Sequence, residues 1–293
     1  MYWCMKILSV IVCAMPESVR HSIGRGIGWL AWLVVPKSRK DLAVQQLMNC
    51  GISNNHQEAY HIAKNSVTRF GPMMEEVLYF PRFVKAGLSE KVTFRGRHNL
   101  DALLSEGKGA IIATMHGGNW ELLGAALAIA GYPILAVTQK QNNHSADTFI
   151  NEYRQMAKQQ VTYKSGVRDM IRHLQDGCAI GLLMDQDPGK NGILATFFGR
   201  DTLTASGPAV LARLNNTAVI PIFIHADRPY HHIIDILPPV VPLDTGNKKQ
   251  DILATTNELN RIIEVRIRQY PEDWFWLHKR WKWTDKLYGN QKG

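Results

Sequence analysis

The residues best suited to chemistry lie in the segment His116-Gly-Gly-Asn-Trp-Glu121. An imidazole can take a proton from an alcohol, and a nearby carboxylate can orient the imidazole for that task. On one continuous helix, residues five apart would point in different directions, but Gly117 and Gly118 permit a turn that folds the carboxylate back. The segment therefore predicts a hydroxyl-activating pair, with His116 as the general base and Glu121 as its partner.

The elements on either side decide where this segment lies. An apolar run at 109–115 precedes it and a helical run at 121–130 follows, so His116 should stand at the carboxyl end of a strand. Open α/β folds bind their ligands at that end. Asn119 is a good N-cap, and Glu121 falls in the first helical turn, where the dipole favours a carboxylate. This combination favours the active pair over the alternative, a capping histidine beside an unrelated glutamate.

The rest of the chain predicts an α/β fold. Residues 1–85 have the pattern of helices, with a kink near Pro72, and residues 86–293 form the α/β part of one structural unit. Strand-length apolar runs alternate there with helical segments, which predicts a central, mostly parallel sheet flanked by helices. Strands are predicted at 91–94, 110–115, 134–138, 179–184, 219–224 and 233–237, and helices at 121–130, 146–158, 167–175, 208–215 and 248–269.

The net charge indicates the kind of partner, and the cysteines indicate the cellular compartment. The net charge of +9 and the pI near 9.4 indicate an anionic partner, such as nucleic acid, an anionic membrane, a phosphorylated lipid or an acidic carrier protein. The four cysteines are far apart and form no CxxC pair. We therefore expect reduced thiols and a cytoplasmic environment.

Two apolar stretches, at 1–16 and 27–35, suggest a membrane-associated N-terminus. Neither reaches the ~20 apolar residues of a spanning helix. The basic residues Lys37, Arg39 and Lys40 follow them, a combination typical of an interfacial or shallowly inserted helical pair. The alternative is a buried helical hairpin in a soluble protein.

Other candidate site residues follow later predicted elements. Asp185 and Asp187 come after the strand at 179–184 and could hydrogen-bond His116 or shape an acceptor site. A turn at Asp187-Pro-Gly also explains Asp187, so Asp185 is favoured for the site. Arg200 lies shortly before Ser206-Gly-Pro, where a helix N-terminus could bind an anion. No metal is expected, because the histidines lack ligand spacing.

The segment 274–283 mixes five aromatic residues with cations. Membrane or substrate contact is the favoured interpretation of this composition. A tail packed across the sheet with its cations turned outward is nearly as well supported. Stacking on nucleic acid is the weakest alternative, and no nucleic-acid partner is expected.

The segment His116-Gly-Gly-Asn-Trp-Glu121 resembles the H-x4-[D/E] signature of the lysophospholipid-type acyltransferases. More closely, the chain resembles the bacterial lipid A biosynthesis acyltransferases, which add secondary lauroyl or myristoyl chains. Related mannoside acyltransferases share the signature, so the resemblance indicates the reaction better than the substrate. It extends over nearly the whole chain, through 23–36, Met74-Glu-Glu76, 116–121, Asp185-Gln-Asp187, Phe197-Phe-Gly-Arg200, Gly207-Pro-Ala209 and 274–281.

The resemblance implies acyl transfer from an acyl carrier protein thioester to a hydroxyl of a lipid A precursor. It further implies that the protein lies at the cytoplasmic face of the inner membrane and that the reaction needs no cofactor. His116 would be the base and Glu121 its partner. Because the thioester is already activated, no acyl-enzyme is needed. Another glycolipid or a lysophospholipid is the alternative acceptor.

The same resemblance gives roles to neighbouring residues. The backbone N–H groups of Gly117, Gly118 and Asn119 are placed to stabilise the oxyanion that forms on the thioester carbonyl. Arg154 matches a family arginine and is expected to bind a phosphate or to steady the site, because its planar fork suits phosphate.

Two rival classes are less well supported. The His-Gly-Gly-Asn segment is similar to the oxyanion loop of esterases, but the chain has no G-x-S-x-G nucleophile elbow. A non-enzymatic membrane-binding protein would explain the charge and the tryptophans. It would not explain a glycine-flanked turn between His116 and Glu121.

Overall fold

A seven-stranded sheet carries the predicted site. The computed structural model describes residues 1–88, 90–140 and 142–289. Its strands are β1 (Val92–Arg95), β2 (Ala110–Thr114), β3 (Ile134–Thr138), β4 (Gln160–Tyr163), β5 (Ala179–Leu183), β6 (Ile193–Phe197), β7 (Arg200–Thr204), β8 (Val219–Arg228) and β9 (His231–Ile236). The sheet order is β1-β9-β8-β2-β5-β3-β4, and all neighbours are parallel except β8 and β9. The predicted mostly parallel sheet is confirmed.

Helices cover both faces of this sheet and form the N-terminal region. They are α1 (Tyr2–Ala14), α2 (Glu17–Val34), α3 (Lys37–Asn49), α4 (His56–Thr68), α5 (Phe70–Leu78), α6 (Phe80–Ala86), α7 (Arg97–Ser105), α8 (Trp120–Ile129), α9 (His144–Met156), α10 (Val167–Gln175), α11 (Gly207–Leu214), α12 (Lys248–Gln269) and α13 (Lys282–Gly289). The expected kink is a break at Arg69, between α4 and α5. Pro72 lies in the first turn of α5, where a missing N–H costs no hydrogen bond.

Three strands were not predicted. β4 is a four-residue strand at the edge of the sheet, too short to show an alternating pattern. β6 and β7 form a separate antiparallel hairpin. Its turn places Phe198 and Gly199 at φ values of 50° and 69°, as in a type I′ turn, although Phe-Gly is not a usual sequence for one.

Two hydrophobic cores lie on opposite faces of the sheet. Alternate residues of β2 point to opposite sides, so Ile111 belongs to one core and Ile112 to the other. The N-terminal helices contribute to both, with Trp32 in the first and Phe80 in the second. The helical N-terminus and the α/β part therefore share their cores.

Helix α2 crosses the end of α4 and the start of α5 at unusually short range. A Cβ atom on Gly28 would lie 1.8 Å from the Thr68 carbonyl oxygen, and one on Gly71 would lie 1.9 Å from that of Gly24. Only glycine permits this approach. Arg20 of α2 and Glu75 of α5 form a buried ion pair beside the crossing. Helix α2 is thus held tightly against α4 and α5.

The outer surfaces of α1 and α2 are apolar and exposed. Trp3 is 73% exposed and Val34 is 81% exposed, values far above those of core residues. The other large apolar side chains exposed there are Ile7, Leu8, Val10, Ile11, Val19, Ile23, Ile27, Trp29, Leu30 and Leu33. Within the described ranges, no helix combines the length and the apolarity needed to cross a bilayer.

Candidate active site

The predicted catalytic loop joins β2 to α8. Gly118 has a φ of 58°, and a Cβ atom there would lie 2.2 Å from the Ile224 carbonyl oxygen, so the position requires glycine. Asn119 caps α8, as predicted, because its side-chain oxygen accepts from the Leu122 N–H at 3.0 Å. The loop is therefore a fixed turn at the carboxyl end of the central strands.

His116 is paired with Asp185. β2 and β5 are adjacent and parallel, with Thr114 opposite Leu183, so the two side chains leave the same edge of the sheet two residues later. His116 Nδ1 lies 2.8 Å from Asp185 Oδ1. Because Nδ1 donates to this carboxylate, Nε2 is the nitrogen that can take a proton from a substrate.

Asp185 is held in turn by Trp274, whose indole N–H donates to Oδ2 at 2.7 Å. The carboxylate is fully buried, whereas the His116 side chain is 25% exposed. Burial alone would raise the pKa of Asp185, but the charge of His116 and the hydrogen bonds from His116 and Trp274 hold it below its usual range. Asp185 is therefore an ionised, oriented partner for the base. No sequence pattern links Trp274 to Asp185, because the two residues are 89 positions apart in the chain.

The expected contact between His116 and Glu121 is wrong. Both oxygens of Glu121 accept from Arg154, at 2.9 Å from Nε and at 2.6 Å from a terminal nitrogen. The register of α8 explains the difference, since successive helical residues are about 100° apart. Trp120 turns its ring towards His116, at 5.3 Å between centroids, and Glu121 then faces α9.

The same bonds change the interpretation of Arg154. Its remaining terminal nitrogen donates to Asn151 at 2.9 Å, so its fork is occupied by protein groups. The side chains of Glu121 and Arg154 are only 13% and 15% exposed. A phosphate-binding role is therefore not supported, whereas the role of steadying the site agrees with this geometry.

Two of the three expected oxyanion donors are already used. The Gly117 N–H donates to the Met115 carbonyl at 2.8 Å, and the Gly118 N–H donates to the Asp273 carbonyl at 3.2 Å. No acceptor for the Asn119 N–H is found in the described part of the chain. Asn119 stands at the N-terminus of α8, where the helix dipole also favours negative charge.

Helices α4 and α5 support the loop from the N-terminal region. Arg69, at the break between them, donates to the Gly118 carbonyl at 2.7 Å and to the His116 carbonyl at 3.4 Å. Burial lowers the pKa of Arg69 to about 10, against the attraction of nearby acidic groups. No sequence pattern indicates this arginine, since its partners are backbone atoms 47 and 49 residues away.

Glu76 completes this support. Its oxygens accept from the Asn119 side-chain N–H and from His232 Nε2, each at 2.7 Å. Its neighbour Glu75 points instead to Arg20, and burial raises the pKa of Glu75 to about 6 although Arg20 opposes the shift. The resemblance had singled out this pair of glutamates without their partners.

Arg200 and Asp187 do not join the catalytic pair. Arg200 lies 3.5 Å from Asp285 and stacks over Trp281 at 4.8 Å, on the hairpin formed by β6 and β7. Asp187 accepts from the Gly189 N–H at 2.8 Å and from the Trp283 N–H at 2.9 Å, which confirms it as a turn residue. Arg200 is therefore not part of the group around His116, and an anion site at the start of α11 stays a prediction.

The aromatic tail is packed rather than exposed. Trp274, Trp276 and Trp281 are 1%, 0% and 3% exposed, which contradicts membrane or substrate contact for these three. Arg280 is fully buried and donates to Thr202, Thr204 and the Leu203 carbonyl, while burial lowers its pKa to about 10. The alternative of a tail packed across the sheet is correct for the three tryptophans, but its expectation that the cations turn outward is wrong for Arg280.

A partly exposed aromatic group stands beside the base. Phe70 contacts both Trp120 and Phe275, at 5.8 and 5.2 Å between ring centroids, and Trp120 contacts His116. These rings offer an apolar surface next to a nitrogen that can accept a proton. Over the described residues, no group of three or more potential metal ligands is formed. The arrangement suits proton removal from a hydroxyl beside an apolar chain.

The family model described as "Bacterial lipid A biosynthesis acyltransferase" matches residues 1–283. A phosphatidylinositol mannoside acyltransferase of Mycolicibacterium smegmatis is 26% identical over 226 residues, which are 75% of this chain and 72% of that protein. A lipid A biosynthesis palmitoleoyltransferase of Escherichia coli is 22% identical over 92% of this chain and 86% of its own. A lipid A biosynthesis lauroyltransferase of the same organism is 24% identical over 93% and 88%.

Among solved structures, the chain is similar to the 1-acyl-sn-glycerophosphate (LPA) acyltransferase PlsC of Thermotoga maritima. The match covers 83% of this chain and 97% of that one, at 12% sequence identity and a TM-score of 0.37. A TM-score this low does not by itself establish a common fold.

Proposed function

Since the chain belongs to the bacterial lipid A biosynthesis acyltransferase family, we propose that it transfers a fatty acyl chain from an acyl carrier protein thioester to a hydroxyl of a lipid A precursor. Its relatives are named acyltransferases of lipid biosynthesis, and acyl transfer is the activity they share. The donor, the acceptor and the residue roles are our proposal. The single observation that carries it is the arrangement of His116, Asp185 and Trp274.

The proposed reaction needs no covalent enzyme intermediate. His116 Nε2 takes the proton of the acceptor hydroxyl while the oxygen attacks the thioester carbonyl carbon. Asp185 holds the imidazole in the required tautomer and stabilises the imidazolium. The tetrahedral intermediate then expels the thiolate, which takes the proton from His116, so an ester and a free thiol result. Such base catalysis contributes roughly 10²–10⁴ in rate.

The oxyanion is assigned to the start of α8. Because the Gly117 and Gly118 N–H groups donate to protein carbonyls, we assign the Asn119 N–H as the backbone donor. The glycines then serve to shape the turn. Glu121 becomes a positioning residue, which fixes the first turn of α8 through Arg154.

We propose that α1 and α2 lie on the cytoplasmic face of the inner membrane. Their exposed apolar side chains support this location, and Lys37, Arg39 and Lys40 at the start of α3 suit anionic headgroups. An acidic carrier protein would reach the site from the aqueous side.

A second acceptor class also has support. The mannoside acyltransferase of Mycolicibacterium smegmatis is 26% identical, slightly more than the lipid A enzymes of Escherichia coli at 22% and 24%, although over a shorter part of the chain. Mass spectrometry of lipids from cells with and without the gene separates the two. Loss of one acyl group from lipid A supports the first acceptor, and loss from a mannoside supports the second.

The proposed chemistry is tested by replacing the base. His116→Ala should abolish acyl transfer by the purified protein while vesicle binding is retained. His98→Ala is the matched control, because His98 is exposed on α7 and should leave transfer unchanged. Transfer by His116→Ala at the rate of the wild type would contradict the mechanism.

A further inference from the structure

A cavity of about 300 Å³ lies beside the catalytic loop. Gly118 and Asn119 line it from the loop, and Arg69 lines it from the break between α4 and α5. Arg228 lines it from the end of β8, and His21 lines it from α2. The cavity is therefore enclosed by the catalytic loop, the sheet and the N-terminal helices.

Within the described residues, no carboxylate lies within salt-bridge distance of the cationic side chains of Arg69 and Arg228. Arg69 donates to two backbone carbonyls and forms no ion pair, and its buried Nε has no hydrogen-bond partner in the described part of the chain. The Arg228 side chain forms neither an ion pair nor a hydrogen bond with the described residues. The same is true of the His21 side chain, whose ring lies against that of Tyr230.

Two of the three carboxylates that line the cavity have hydrogen-bond partners in the protein. Both oxygens of Glu76 accept hydrogen bonds, from the Asn119 side chain and from His232. Asp227 is paired with a histidine, His231. Burial raises the pKa of the third, Asp273, although Arg69 opposes the shift. Glu76 and Asp227 thus each have a histidine partner, whereas the side chains of Arg69 and Arg228 form no salt bridge with the described residues.

We propose that this cavity is a subsite for a phosphate ester carried by one of the two substrates, held by Arg69 and Arg228. Guanidinium groups bind phosphate through charge-assisted, often bidentate hydrogen bonds. Arg69 also holds the carbonyls of His116 and Gly118, so a phosphate bound there lies next to the catalytic loop. The proposal rests on the proposed function for the source of the phosphate, and it assigns to this cavity the role that Arg154 cannot fill.

Inorganic phosphate tests the subsite without any acyl transfer. Titration calorimetry on the full chain should detect binding by the wild type, and Arg228→Gln should weaken it at least tenfold. Arg168→Gln is the matched control, because Arg168 is exposed on α10, forms no ion pair within the described chain and does not line the cavity. No binding by the wild type, or equal binding by both variants, would overturn the subsite.

Steady-state kinetics then identify the source of the phosphate. If it belongs to the acceptor, Arg228→Gln raises KM about tenfold for a phosphorylated acceptor and not for its dephosphorylated form. If it belongs to the phosphopantetheine arm of the donor, KM rises for the acyl carrier protein alone. An unchanged KM for both substrates overturns a substrate-binding role. Phosphate binding by a protein without transferase activity would instead refute the proposed function and leave the subsite intact.

Discussion

Replacement of Asp185 by asparagine keeps the shape of the side chain and removes its charge. The carboxylate is fully buried and lies 2.8 Å from His116 Nδ1, so solvent screens this interaction only weakly. A hydrogen bond to a charged group is worth about 1.5–3 kcal/mol. Because about 1.4 kcal/mol corresponds to a factor of ten in rate, Asp185→Asn should lower kcat roughly 10- to 150-fold.

The amide adds a second effect in the same direction. An asparagine N–H that donates to Nδ1 would leave the hydrogen of the imidazole on Nε2, the nitrogen that must accept the proton from the substrate. The interaction with Asp185 strengthens when His116 becomes charged, so the loss should fall on kcat and leave KM for the acceptor nearly unchanged. Initial rates of acyl transfer at varied acceptor concentration measure both constants.

Two further variants distinguish Asp185 from the other carboxylates considered as partners of His116. Asp187→Asn changes a carboxylate two residues away that bonds backbone N–H groups rather than His116, so its kcat should stay near that of the wild type. Glu121→Gln tests the competing orientation of the base. A near-normal kcat for Asp185→Asn together with an inactive Glu121→Gln would refute our assignment of the partner.

Three predictions concern the surroundings of the site. Glu121→Gln should destabilise the protein more than the double variant Glu121→Gln/Arg154→Met does. The single change leaves the buried charge of Arg154 without a partner, whereas the double change removes both charges, and thermal unfolding of the two variants measures the difference. Glu76→Gln should cost about 1–3 kcal/mol in urea unfolding, because one of its two buried donors loses its acceptor, and equal stability would argue against this contact. Gly28→Ala should lower Tm, since its Cβ atom would overlap a backbone oxygen of the neighbouring helix, whereas Gly26→Ala meets no atom within 4 Å and should be neutral or stabilising by up to about 1 kcal/mol; similar Tm values for both would exclude the close crossing.

Local features of the site could be predicted from the sequence. The strand before His116, the glycine turn and the Asn119 cap depend on residues within a few positions of one another, and the structure confirms all three. The position of Asp185 after a parallel strand placed it at the same edge of the sheet, which is why it could be proposed as a partner. The choice between Asp185 and Glu121 depended on the register of α8, which no residue pattern specifies.

The long-range contacts of the site could not be predicted from the sequence. Trp274 reaches Asp185 across 89 positions, and Arg69 reaches the loop through backbone carbonyls, which leave no trace in side-chain patterns. The composition of the tail containing Trp274 favours membrane contact and core packing almost equally, because aromatic and cationic residues serve both purposes. Only the packing shows that its tryptophans fill the core, where Trp274 donates a hydrogen bond to Asp185.

The N-terminal helices support the candidate active site, because a continuous set of close contacts joins α2 to the loop. On one side of α5, glycine contacts and the ion pair between Arg20 and Glu75 fix α2. On the other side, Glu76 holds Asn119, and Arg69 at the start of the helix holds the Gly118 carbonyl. A displacement of α2 would therefore move the supports of the loop. The surface that we propose meets the lipid and the turn that carries the base are thus positioned by the same helix.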